Sequence, residues 1–99
     1  MEKDYFKDRP KEVTEIDKIK VGMEVYICLK IQQPYAKDLE DLSKGKIIQI
    51  LTKHNHPRGI KVKIRQDNGF EMIGRCTYIV QNGFILTKDG WKEEKDVNK

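Results

Sequence analysis

Gly59-Ile60-Lys61-Val62-Lys63-Ile64-Arg65-Gln66-Asp67-Asn68-Gly69 is the stretch whose pattern decides the fold class. Ile60, Val62 and Ile64 alternate with Lys61, Lys63 and Arg65. Successive side chains of a strand point to opposite faces. A period of two therefore predicts a half-buried β-strand with one apolar and one cationic side. Asp67-Asn68-Gly69 predicts a hairpin next, because Asn-Gly supplies the positive φ values that tight turns need. The chain returns as another strand over Phe70 to Val80, with a bend or bulge expected at Gly74, or a glycine that relieves crowding.

The same signals recur on both sides. Gly45 to Thr52 is β-branched and reads as a strand, with Ile48 and Ile50 on one face and Ile47 and Leu51 on the other. Lys53 to Arg58 is a polar loop, kept out of a ladder by Pro57. Glu24 to Ile31 alternates, with Val25, Ile27, Leu29 and Ile31 expected inward and Glu24, Tyr26, Cys28 and Lys30 outward. Gln33-Pro34 ends that strand, and Leu39 and Leu42 predict one helical turn in the connection. Gly83 to Leu86 is a short fifth strand, followed by a turn at Lys88-Asp89-Gly90. Five short strands with tight turns and no long helix predict an all-β chain, a small five-stranded barrel. It occupies residues 13–91 as a single domain. Charged extensions at 1–12 and 92–99 are expected to be flexible.

At 99 residues the chain suits one domain with one modest core. The composition is 37% apolar and 36% charged, and no apolar run approaches the roughly 20 residues of a membrane span. The chain begins Met-Glu-Lys-Asp, without the apolar region of a secretory leader. Cys28 and Cys76 lie far apart with no Cys-x-x-Cys pairing, so two reduced thiols and a cytoplasmic location are expected.

From Gly45 onward the chain resembles the YwbE-like family of short bacterial and archaeal proteins. The resemblance is carried by Gly45 to Thr52, ending Ile-Leu-Thr, by His56-Pro57-Arg58-Gly59-Ile60-Lys61-Val62, and by Gly69 with Ile73-Gly74-Arg75. Val21-Gly22-Met23-x-Val25 matches the start of the same pattern. The likeness covers roughly residues 19–80. The chain departs from it in a longer 33–43 connection, in an Asp-Asn-Gly turn with extra residues before Ile73, and in its added ends. The resemblance implies an SH3-like barrel and no particular activity.

Function must therefore be read from charge. The net charge is +4, but Lys44 to Cys76 holds eight basic residues against two acidic ones, a local net of +6. Lys61, Lys63 and Arg65 repeat at the alternate-residue spacing of a strand, close to the phosphate repeat of an extended single strand. Arg75 and Lys46 widen this stripe if their strands are neighbours. His56 and Arg58 sit on the adjoining loop. These seven residues are the expected nucleic-acid contacts of a non-catalytic module, with RNA the favoured ligand. The bland alternative is a solvated face that keeps a small protein soluble. Tyr26, Tyr35, Phe70 and Tyr78 are candidate stacking platforms, each weighed against a place in the core. The alternative function is an SH3-like protein-interaction module, which Tyr26, Phe70 and Trp91 clustered in an apolar groove would favour, whereas aromatics scattered through a basic face would favour RNA. His54 and His56 on one loop have no third ligand in register, so no metal is expected. No Gly-rich phosphate loop, Ser-His-Asp set or paired acids appear, so neither a cofactor nor an enzymatic activity is expected.

Overall fold

The computed structural model describes residues 8–37 and 39–97. Six strands follow in chain order: β1 (Glu24–Leu29), β2 (Ser43–Ile50), β3 (Lys61–Arg65), β4 (Glu71–Gln81), β5 (Phe84–Thr87) and β6 (Gly90–Glu93). A short helix, α1 (Glu94–Val97), comes last. All pairings are antiparallel. β1 pairs with β2 on one side and β4 on the other, so β1 to β4 close into a barrel. β4 is long enough to serve three neighbours. It pairs with β3 through Glu71 to Arg75, with β1 through Gly74 to Val80, and with β5 through Ile79 to Gln81.

The architecture is thus a small all-β barrel, closed by four strands rather than the expected five. The fifth strand leaves the barrel as one arm of a hairpin with β6. Two short turns make this hairpin. Asn82-Gly83, both at positive φ, reverses β4 into β5, and Lys88-Asp89 reverses β5 into β6. The expected tail from residue 92 therefore begins as strand and helix.

β3 follows its sequence pattern. Val62 and Ile64 are fully buried, while Lys61 and Arg65 are exposed. The turn after it is a three-residue loop. Gln66 N–H donates to Phe70 O (2.8 Å), Gly69 N–H donates to Gln66 O (2.9 Å), and Gly69 alone takes the left-handed φ, +90°. A type I turn closed by a left-handed residue has this geometry.

β1 does not follow its pattern. Val25, Tyr26 and Ile27 are all buried because the strand has a core on each face. One core fills the barrel with Val25, Ile27, Ile47, Ile60, Val62 and Ile64, closed over by Val13 and Ile19. The second lies outside the barrel wall, where Ala36, Leu39 and Leu42 cover Tyr26, Tyr78 and Ile85. Each fully buried aliphatic side chain contributes roughly 1.5–3 kcal/mol. A bulge after Tyr26 shifts the register against β4. Ile31, expected inward, is 77% exposed, because the chain turns into a 3-10 helix (Lys30–Gln32) after Leu29. A second bulge between Ile47 and Gln49 changes the phase of β2. Ile47 is consequently the buried residue, whereas Ile48 is only half-buried.

Gly74 shows no register shift; it marks a close approach instead. A Cβ there would lie 2.6 Å from the Cys28 carbonyl oxygen of β1. Of the expected N-terminal arm, residues 1–7 lie outside the described residues. Residues 8–12 pack on the barrel: Pro10 is buried, and Lys88 N–H donates to Asp8 O (2.8 Å). Residues 98 and 99 of the expected tail also lie outside the described residues. No helix among the described residues is long and apolar enough to cross a membrane.

Candidate nucleic-acid interface

Cross-strand register places the cationic side chains. Directly opposed residues of antiparallel strands share a face. Lys46 of β2 is opposite Arg65 of β3, which is opposite Glu71 of β4. Lys63 is opposite Ile73, and Lys61 is opposite Arg75. Lys46, Lys61, Lys63, Arg65 and Arg75 therefore lie on one outer face of the β2–β3–β4 sheet.

The two ends of this face differ. At one end Arg65 is committed to an acid. Its Nε (3.2 Å) and Nη2 (2.7 Å) both donate to Glu71 Oε2. These hydrogen bonds hold the Glu71 carboxyl below the usual carboxylate range. The positive charge of Arg65 is largely offset there.

At the other end the loop before β3 folds against β4. Gly59 makes this possible. Its φ is +110°, and a Cβ on it would lie 2.2 Å from the Cys76 carbonyl oxygen. Ile60 N–H donates to Val13 O (2.8 Å), and Cys76 N–H donates to Ile60 O (2.9 Å), which ties the loop down on both sides. Arg75 Nη1 donates to Gly59 O (3.3 Å), fixing the guanidinium beside the loop. His56 N–H donates to Thr14 O (3.0 Å). His56 Nδ1 accepts from Arg58 N–H (3.1 Å), which assigns the proton of the neutral imidazole to Nε2. Loss of water around the ring, then the charges of Arg75, His54 and Arg58, hold the His56 pKa below its ordinary value.

These contacts enclose a cleft of 610 Å³. Lys30, His56, Arg58, Lys61 and Arg75 line it, with Cys28 and Gly74 among the remaining wall residues and no carboxylate among the described residues of the lining. It joins four of the residues named from sequence to Lys30, which sequence reasoning left out. The missing signal was strand order. Cys28 is opposite Arg75 across the β1–β4 pair, and Lys30 opens the 3-10 helix two residues further on. Lys46, Lys63 and Arg65 lie on the sheet outside the cleft.

The aromatic candidates divide cleanly. Tyr26 and Tyr78 are buried in the outer core, where their hydroxyls donate to Glu94 and Asp8. Tyr35 and Phe70 are 75% and 65% exposed and remain available for stacking. With Tyr26 buried in the outer core, Tyr26, Phe70 and Trp91 do not share an exposed groove. Among the described residues no three His, Cys, Asp or Glu side chains gather as metal ligands.

Residues 12–79 match the family described as "Uncharacterized conserved protein (DUF2196)". The chain belongs to this family. No curated protein and no solved structure matches it. The family match spans β1 to β3 and most of β4, and so contains every basic residue of the cleft.

Proposed function

We propose that this protein is a YwbE-like, non-catalytic RNA-binding module that acts in the cytoplasm. One observation carries the reading: Lys30, Arg58, Lys61 and Arg75 line a single cleft with no carboxylate among its described lining residues. Lys63 and Lys46 continue the charge across the sheet. Cations held together in this way release counterions when a polyanion binds. A base needs a positioned partner to act in catalysis, and the charged groups among the described residues that line the cleft with His56 are cations. Tyr35, close in sequence to cleft residue Gln33, and Phe70, at the β3–β4 turn, supply exposed rings for unstacked bases.

The test is fluorescence anisotropy of a labelled single-stranded RNA at about 50 and 200 mM salt. With about four phosphates neutralised, affinity falls by roughly fifty-fold across that range. Lys61→Glu combined with Lys63→Glu is expected to abolish the tight phase. An unchanged affinity in this double variant, or no binding at low salt, refutes the proposal.

A protein-interaction role has separate support. Phe84 and Trp91 are both exposed and share one face of the β5–β6 hairpin, since Trp91 opposes Leu86 and Glu93 opposes Phe84. A flat RNA response would make that face the surface to pursue.

A further inference from the structure

We propose that the cleft is a phosphomonoester site, so that the protein captures RNA by a phosphorylated end. The inference rests on the RNA reading and narrows its ligand. It comes from the contrast between the two ends of the basic face. On the open sheet, Lys46 and Lys63 are spread out and suited to meet successive backbone phosphates singly. In the cleft, four permanent cations and an imidazole converge on one volume. An internal phosphodiester carries one negative charge. A terminal phosphate carries about −1.5 to −2 at neutral pH and offers three acceptor oxygens. The convergent set exceeds the need of the first and matches the second.

The donors are also held before any ligand arrives. Arg75 is fixed by the Gly59 carbonyl, and the His56 loop is fixed by Thr14 O and by its own Nδ1 contact. With Nδ1 occupied as an acceptor, neutral His56 has Nε2–H left to donate. Preorganised donors lose little freedom on binding, which favours a compact, highly charged group over a mobile chain. Loss of water around the ring is the first cause of the lowered His56 basicity, and Arg75 and Arg58 add a positive field in the same place. A volume of 610 Å³ admits the terminal phosphate with its nucleotide.

The experiment compares three RNAs of one sequence, titrated with the full chain: unphosphorylated, 5′-phosphorylated and 3′-phosphorylated. One phosphorylated end is expected to bind at least about ten-fold tighter than the unphosphorylated RNA. The arm that gains identifies which end is read. Inorganic phosphate at millimolar concentration is expected to erase the gain. Lys30→Met with Lys61→Met is expected to remove the gain while the melting curve stays cooperative. Lys46→Met is expected to weaken all three RNAs alike. Equal affinity for the three RNAs overturns the inference and leaves the RNA reading in place. A gain that survives Lys30→Met with Lys61→Met overturns it as well. No binding to any of the three overturns both.

Discussion

Gly59→Ala tests the link between fold and site most directly. The substitution adds one methyl group, yet two separate costs follow from the local geometry. The first is backbone strain. A φ of +110° lies beyond the left-handed region that other residues occasionally visit. Holding alanine there costs about 1–3 kcal/mol. The second is crowding. The new Cβ would lie 2.2 Å from the Cys76 carbonyl oxygen, a backbone atom that no rotamer change can move. Relief needs the loop and β4 to separate, against the Ile60–Val13 and Cys76–Ile60 hydrogen bonds. Overpacking of this kind costs about 1–3 kcal/mol. Alanine recovers about 0.4–1 kcal/mol by restricting the unfolded chain. The net loss is therefore about 1–5 kcal/mol, a large share of the roughly 5–15 kcal/mol that a chain of this size holds.

Gly69→Ala is the control. Gly69 also has a positive φ, +90°, but its Cβ would meet nothing within 4 Å. It carries strain without crowding and should lose about 1–2 kcal/mol. Urea unfolding followed by circular dichroism measures both variants. Gly59→Ala is expected to unfold at clearly lower urea. It should also lose RNA affinity, because the Gly59 carbonyl that holds Arg75 moves with the loop. A Gly59→Ala variant as stable as Gly69→Ala would refute the reasoning.

Glu71→Gln removes the acid that holds Arg65, so RNA affinity should rise about two- to five-fold at 50 mM salt, and less at 200 mM, by anisotropy. Lys61→Glu should weaken RNA binding yet stabilise the free protein by about 0.2–1 kcal/mol in low-salt urea melts, since it replaces a like-charge pair opposite Arg75. For Glu94, burial raises the carboxyl pKa, but hydrogen bonds from Tyr26 and Lys44 outweigh it, and the net shift is downward. The stability it contributes is complete above the unfolded carboxylate pKa and is lost as pH falls through the lower folded value. Amide exchange in β6 and α1 should accelerate below about pH 4. Glu94→Gln should remove that dependence and lower stability at pH 7 by about 1–3 kcal/mol. Cys76 is fully buried, and burial pushes its thiol up to about 12, so a thiol reagent should reach it only in denaturant.

The parts legible in sequence were the local ones. β3 has one face on the barrel core and one in water, so its period of two reports its orientation. The Asp67-Asn68-Gly69 turn follows it within the same hairpin. β1 was legible as a strand but not in its facing, because Tyr26 and Ile27 belong to two different cores on either side of one wall. Bulges at Tyr26 and Ile48 broke the phase that alternation assumes. β6 has the sequence Gly-Trp-Lys-Glu, with too little apolar content to signal a strand. It forms because Asn82-Gly83 and Lys88-Asp89 bring it back beside β5, and the Asn-Gly pair was a signal in plain view. The basic stripe of β3 was legible for the same local reason. The cleft was not, because it depends on the pairing of β1 with β4, residues about fifty apart in the chain.

Charge placement separates a site from a merely soluble surface. This protein has acids enough to pair its cations in several places. Glu94 meets Lys44 at 2.9 Å, Glu71 meets Arg65 at 2.7 Å, and Glu15 meets Lys11 at 3.9 Å. Around the cleft the fold also sets like charges side by side. Lys61 stands directly across from Arg75, like charge against like, and the loop that adds Arg58 and His56 is held there by a glycine at positive φ and three backbone hydrogen bonds. Each close pair of like charges lowers the stability of the free protein by up to about 1 kcal/mol. A face selected only for solubility gains nothing from such convergence, since interspersed charges serve it equally well. Convergence becomes favourable once an anion occupies the cleft, because each repulsive pair then shares an attractive partner. A gain in stability from Lys61→Glu, accompanied by a loss of RNA affinity, would be the measurable form of that exchange.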